Sequence, residues 1–141
     1  MRFNTQLIIP GNLADEIIFH CRKTYPKEAC GILAGRKGVI QNIYKMTNIE
    51  RSNVSYMMDS REQFKAMKEM REQGLEISAI YHSHPNSDAY PSPKDVNLAF
   101  YEDSLYVIVS LSHEEPVVKA FEIKDKEVKE VEILILKPSN E

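Results

Sequence analysis

The stretch EISAIYHSHPNSDAYPSPKD, residues 76–95, runs from an apolar segment into a cluster of histidine, serine and proline. Glu76 to Tyr81 predicts a strand that leads directly into His82-Ser83-His84-Pro85. In extended backbone, side chains at i and i+2 point to the same side with Cα atoms about 7 Å apart. His82 and His84 can therefore converge on a single ion, and Pro85 ends the strand with both at its mouth. Asp95 lies eleven residues beyond His84, in the first turn of the next predicted helix, and offers a third donor. Two imidazoles and a carboxylate leave one tetrahedral position for water, as in a catalytic zinc site; structural sites usually close all four positions. A plainer reading also fits. Ser92-Pro93-Lys94-Asp95 matches a capping box, with Ser92 as N-cap, Pro93 as first helical residue and Asp95 reaching back. Spacing leaves both readings open, and they are compatible.

Working outward, Leu7 to Pro10 predicts a short strand, and Asn12 an N-cap with Asp15 at the third helical position. Leu13, Ala14, Ile17, Ile18 and Cys21 recur at helical spacing, and Tyr25-Pro26 should end that helix. Glu28 to Ala34 reads as a buried strand stopped by Gly35, and Val39 to Lys45 as its neighbour across a turn. Ser60 to Gln73 predicts a second helix, with Phe64, Met67 and Met70 inward and Gly74 as its stop. Pro93 to about Phe100 predicts a short third helix. Leu105 to Leu111, Val117 to Ile123 and Val128 to Leu136 predict three late strands, the last two a hairpin about Lys124-Asp125-Lys126. Strands and helices are mixed, so the expected class is α+β or three-layer α/β, with residues 1–141 as one domain.

Composition narrows the setting. Hydrophobic residues make up 43% and charged residues 28%, as in a soluble globular protein. The net charge of -3, with both signs interspersed, implies no nucleic-acid surface. No apolar run reaches the roughly 18 residues that span a bilayer, so no membrane partner is expected. MRFNTQLIIPGN lacks the apolar core of a signal peptide. Cys21 and Cys30 form neither a CxxC site nor a disulfide framework, which fits a reduced, cytoplasmic protein. Cys30 reads as a small buried residue, and His20 and His113 as structural or surface histidines. HExxH is absent, as is the HxE and PCxxC pattern of zinc deaminases.

His82-Ser83-His84-Pro85, Ser92 and Asp95 together read H-S-H-P-x6-S-x-x-D, which resembles the signature of the JAMM (MPN+) metallopeptidases. Upstream, Glu28-Ala29-Cys30-Gly31-Ile32-Leu33-Ala34-Gly35 resembles the family's glutamate strand. The order of elements is similar over most of the chain. The resemblance implies a cytidine-deaminase-like three-layer domain with a mixed β-sheet flanked by helices. It implies Zn2+ bound by His82, His84 and Asp95, with Glu28 as general acid/base and Ser92 as donor to the oxyanion of the tetrahedral intermediate. Zinc acidifies water to a pKa of about 7 and polarises a carbonyl, which makes these roles coherent.

JAMM enzymes cleave peptide or isopeptide bonds after the C-terminal glycines of ubiquitin or ubiquitin-like proteins. Only about ten residues separate Asp95 from the next predicted strand, so the chain resembles the compact prokaryotic branch. The Ala89-Tyr90-Pro91-Ser92 context is similar to hydrolases that release cysteine from a ubiquitin-like sulfur-carrier protein ending in Gly-Gly. Such a tail could dock as an added strand at a sheet edge. Three readings compete with this one: a deconjugating isopeptidase acting on lysine conjugates, a non-catalytic MPN scaffold, and a zinc that only stabilises the fold. Oligomeric state is not legible in the sequence.

Overall fold

The computed structural model describes residues 6–137. Residues 1–5, on which the reading against a signal peptide partly rests, lie outside that range. In chain order the elements are β1 (Gln6–Pro10), α1 (Gly11–Thr24), β2 (Cys30–Arg36), β3 (Val39–Met46) and α2 (Ser60–Gln73). They continue with β4 (Glu76–His84), α3 (Pro93–Asn97), β5 (Leu105–Ser110), β6 (Val117–Lys124) and β7 (Glu127–Leu136). The strands form one mixed sheet in the order β1-β3-β2-β4-β5-β6-β7, closed by parallel pairing of β1 with β7. β4 and β5 are also parallel, while β2 runs antiparallel to both β3 and β4.

Strand alternation sorts the core into two clusters. Leu33, Ala79, Tyr81, Val107 and Val109 face one side, where Ala14, Ile17 and Cys21 of α1 pack on them. Cys30, Ile32, Ile80, Tyr106 and Ile108 face the other, covered by Ala66 and Met70 of α2. β2, β4 and β5 are thus buried on both faces, which explains their nearly continuous apolar sequences. Among the described residues, no helix is long and apolar enough to cross a membrane.

The mixed sheet with flanking helices matches the expected class, and several details differ. Helix α1 begins at Gly11 with Pro10 in the N-cap position, so Asn12 caps nothing. Strand β2 begins at Cys30, two residues after Glu28, and continues past Gly35 through an irregularity at Ala34/Gly35. Helix α2 has the expected bounds, the Asp59 carboxylate caps it, and Gly74 ends it in the left-handed region. Phe64, however, is 74% exposed. Ala66 is buried instead, and two residues rotate a helical side chain by about 200°, to the opposite side.

Gly31 is required by packing. A Cβ at this position would overlap the ring of buried Tyr81, whose hydroxyl is tied to His20 Nδ1 at 2.6 Å. With the ring fixed at both ends, Gly31→Ala is expected to destabilise the protein by about 1–3 kcal/mol. A denaturant midpoint within error of wild type would show that the ring has room to move.

Candidate metal centre

The last three residues of β4 are His82, Ser83 and His84, and all three are buried. The histidines stand at the end of the strand, as expected, and β5 pairs alongside them: His82 with Ile108 and His84 with Ser110. On the other edge Cys30 is the register partner of His82. The ladder then continues beyond β2 through a side chain. Ser83 N–H donates to the Ala29 carbonyl at 3.0 Å, and the Ser83 hydroxyl accepts the Ala29 N–H at 2.8 Å. Extending that register by one residue sets Glu28 opposite His84. This is how a carboxylate some fifty residues upstream in sequence reaches the histidines, and Ser83 is a contributor that the motif did not reveal.

Helix α3 supplies the third donor. Ser92 Oγ accepts from Asp95 N–H at 3.1 Å, and Asp95 Oδ2 accepts from Ser92 N–H at 2.9 Å, so the capping box is formed. The same Oδ2 lies 3.1 Å from His82 Nε2 and 3.0 Å from His84 Nε2, and the two nitrogens are 3.2 Å apart. The cap therefore aims the carboxylate at the histidines; the two readings of Asp95 are one geometry. Ligands 2.0–2.1 Å from a tetrahedral zinc lie roughly 3.3 Å apart. Two imidazole nitrogens and one carboxylate oxygen forming a near-equilateral triangle of that size fit one face of such a site. His84 Nδ1 lies 2.7 Å from the Asp88 carbonyl, which places the ring hydrogen there and leaves Nε2 free to ligate. Nδ1 of His82 has no partner, and its ring is stacked on Tyr56 with centroids 4.5 Å apart.

The electrostatics suit a cation. Burial holds His82 below the usual imidazole range, which keeps it neutral and able to ligate. Burial also pushes His84 down, but its contacts with Asp95 and the Asp88 carbonyl outweigh that and leave it raised. Burial disfavours the Asp95 anion too, yet the two histidines and the Ser92 N–H hold it well below the carboxylate range. Glu28 is 3% exposed with one oxygen unpartnered, and burial raises its pKa to about 7. His84 and Lys94 pull Glu28 down while Asp95 and Glu50 push it up. A carboxyl so placed can carry or release a proton near neutrality. Cys30 is pushed up to about 12, chiefly by burial, which fits a packed thiol and not a nucleophile.

A polar stretch between β3 and α2 supplies what the motifs left out. Ile49 N–H donates to the Met57 carbonyl and Asp59 N–H to the Thr47 carbonyl, making a small hairpin. Buried Asn48 clamps it: Nδ2 donates to the Glu28 and Ser55 carbonyls, and Oδ1 accepts from Glu50 and Met57 N–H, all at 3.0–3.1 Å. One side chain thus joins the backbone of Glu28 to the segment carrying Tyr56. An asparagine in a polar run carries no sequence signal for that role. Asn48→Ala should destabilise the protein by about 2–4 kcal/mol by stranding two N–H and two C=O groups. A loss under 0.5 kcal/mol in chemical denaturation would show that water replaces the amide. Beside the hairpin a cavity of about 260 Å³ adjoins Asp95, with Tyr56, Met58, Leu98, Phe100 and Tyr101 among its walls.

Comparison with known proteins agrees with this geometry. Residues 10–124 match the family described as prokaryotic homologs of the JAB domain. The chain is 42% identical over 106 residues to the CysO-cysteine peptidase of Mycobacterium tuberculosis, covering 74% of this chain and 73% of that protein. It is 37% identical over 94 residues to a probable TtuB-protein conjugate cleaving protease of Thermus thermophilus, covering 66% and 63%. A solution structure of a protein from Desulfitobacterium hafniense superposes with a TM-score of 0.85, at 36% identity and 94% coverage of both chains. The chain belongs to the family of prokaryotic homologues of the JAB domain, as the JAMM resemblance of its sequence implies.

Proposed function

We propose that this protein is a zinc metallopeptidase that hydrolyses the amide bond after the C-terminal Gly-Gly of a ubiquitin-like sulfur-carrier protein and releases cysteine. The observation that carries the reading is the triangle of His82 Nε2, His84 Nε2 and Asp95 Oδ2, with the buried Glu28 carboxyl set across from His84. His82, His84 and Asp95 hold the metal. Zinc, when bound, supplies a Lewis acid that acidifies water and polarises the scissile carbonyl. Glu28 takes the proton from the attacking water and delivers it to the departing amine, a task suited to a pKa near 7. Ser92 Oγ accepts the Asp95 N–H, so its own hydrogen remains free to donate to the developing oxyanion.

The substrate tail docks in extended form. The sheet is closed by β1 and β7, so the edge beside the metal centre is that of the 47–58 hairpin. Because Met57 and Asp59 pair inward, the backbone groups of Tyr56 and Met58 point to the opposite side of that strand. Two glycines add no side chains that would clash there. The choice of a carrier–cysteine adduct follows the first of the named relatives, and a conjugate-cleaving relative keeps the lysine isopeptidase as the second reading. A non-catalytic scaffold is disfavoured by Glu28, since burying a carboxyl with an unpartnered oxygen costs stability.

The test is a paired assay with the zinc-loaded protein on a carrier–cysteine adduct and a carrier–lysine conjugate. Chelator-sensitive release of cysteine from the adduct is expected, at a kcat/KM above that for the conjugate. Cleavage of the conjugate alone would replace the substrate, and cleavage of neither would overturn the peptidase reading.

A further inference from the structure

Lys94 is the second residue of the five-residue helix α3, next to Asp95. Its ammonium lies 3.6 Å from Glu50 Oε1, and the two side chains are 52% and 30% exposed. A pair that open to water is worth at most about 1 kcal/mol, so stability does not account for it. Its position is better defined than its strength. Glu50 is held by the Ser55 hydroxyl at 2.6 Å, on the hairpin that Asn48 clamps to Glu28. The pair therefore bridges α3 and the hairpin, and Lys94 lines the cavity together with Asp95. Its charge also reaches Glu28, which it pulls down.

The proposed reaction fixes what arrives near Glu28. That carboxyl must meet the nitrogen of the leaving group in order to protonate it. In a departing amino acid, the α-carboxylate is joined to that nitrogen through a single carbon, so it falls within a few ångströms of whatever faces Glu28. In a departing lysine side chain, the same space holds neutral methylene groups. A cation at this point therefore separates the two classes of leaving group by charge.

Resting on the peptidase reading above, we propose that Lys94 receives the α-carboxylate of the departing amino acid and so makes the site selective for C-terminal amino-acid adducts over lysine side-chain conjugates. Glu50, pinned by Ser55, positions the ammonium. The exposed ion pair loosens at little cost when the substrate carboxylate approaches.

The experiment compares a carrier protein extended by a C-terminal cysteine with the same carrier extended by cysteinamide, which differs only in lacking the charge. Both are offered to the zinc-loaded protein. A charge-assisted contact predicts an acid-to-amide ratio of kcat/KM of about 10–100 for wild type. The ratio should fall close to one in Lys94→Gln and persist in Lys94→Arg, with the change carried mainly by KM. Equal turnover of acid and amide by wild type would overturn the assignment of Lys94 while leaving the peptidase reading intact. So would an unchanged ratio in Lys94→Gln. Failure of wild type to cleave either adduct would overturn the peptidase reading, and this inference with it.

Discussion

Glu28→Gln is expected to lower turnover by about 10²–10⁴-fold while making the metal-free protein more stable above pH 7. The first effect follows from removing the group that carries the proton. The second follows from its burial. The carboxyl has a pKa of about 7 in the folded chain against an ordinary 4.5, because burial disfavours the anion. Below about pH 4.5 it is protonated in both states and imposes no penalty. Between 4.5 and 7 the unfolded chain releases the proton that the folded chain retains, so stability falls as pH rises through this window. Above 7 the penalty is complete and on the order of 3 kcal/mol. Glutamine is neutral throughout, so the advantage of the variant should open across that window and then level off. Zinc should narrow the gap, since a nearby cation favours the carboxylate. Urea titrations of both metal-free proteins at pH 4.5 and pH 8 measure it. Equal differences at the two pH values would mean that Glu28 is not a buried, proton-poised group.

Asp95→Asn is expected to abolish both zinc retention and turnover while leaving the helix cap in place. The carboxylate has two duties that a substitution can separate. As a cap it accepts the Ser92 N–H, and an amide oxygen still accepts that bond. As a donor it provides the charged corner between His82 and His84, which a neutral amide does not replace. The metal-free variant should be the less stable of the two, because it keeps the cap but loses the ionised carboxylate that His82 and His84 favour. Zinc at a hundredfold excess over its Kd stabilises a native protein by about 2.7 kcal/mol. Wild type should show such a rise in thermal scans and the variant none. A variant that still gains stability from zinc and retains turnover would remove Asp95 from the centre.

The features legible in the sequence are those set by local geometry. The i, i+2 spacing of His82 and His84, the cap from Ser92 to Asp95 and the left-handed stop at Gly74 each depend on a few consecutive residues. Glu28 could be assigned only by resemblance, because its position opposite His84 is made by pairing between Ala29 and Ser83. Closure of the ring depends on β1 meeting β7, elements at opposite ends of the described chain, and no local pattern marks it. Asn48 was hidden for another reason. Its four hydrogen bonds go to backbone, and backbone partners leave no trace in residue identity. Phe64 misled because side-chain type pointed inward, while the buried stripe of α2 follows Ala66 and Met70.

The proposed chemistry requires a metal held between β4 and α3, and X-ray absorption at the zinc edge of the purified, zinc-loaded protein tests that directly. The expected spectrum has two imidazole nitrogens and two oxygens at about 2.0–2.1 Å, one oxygen from Asp95 and one from solvent. Cys30 is the register neighbour of His82, so a thiolate is the competing ligand that the measurement must exclude. A zinc–sulfur distance of about 2.3 Å, or a protein that retains no stoichiometric zinc, would contradict the account.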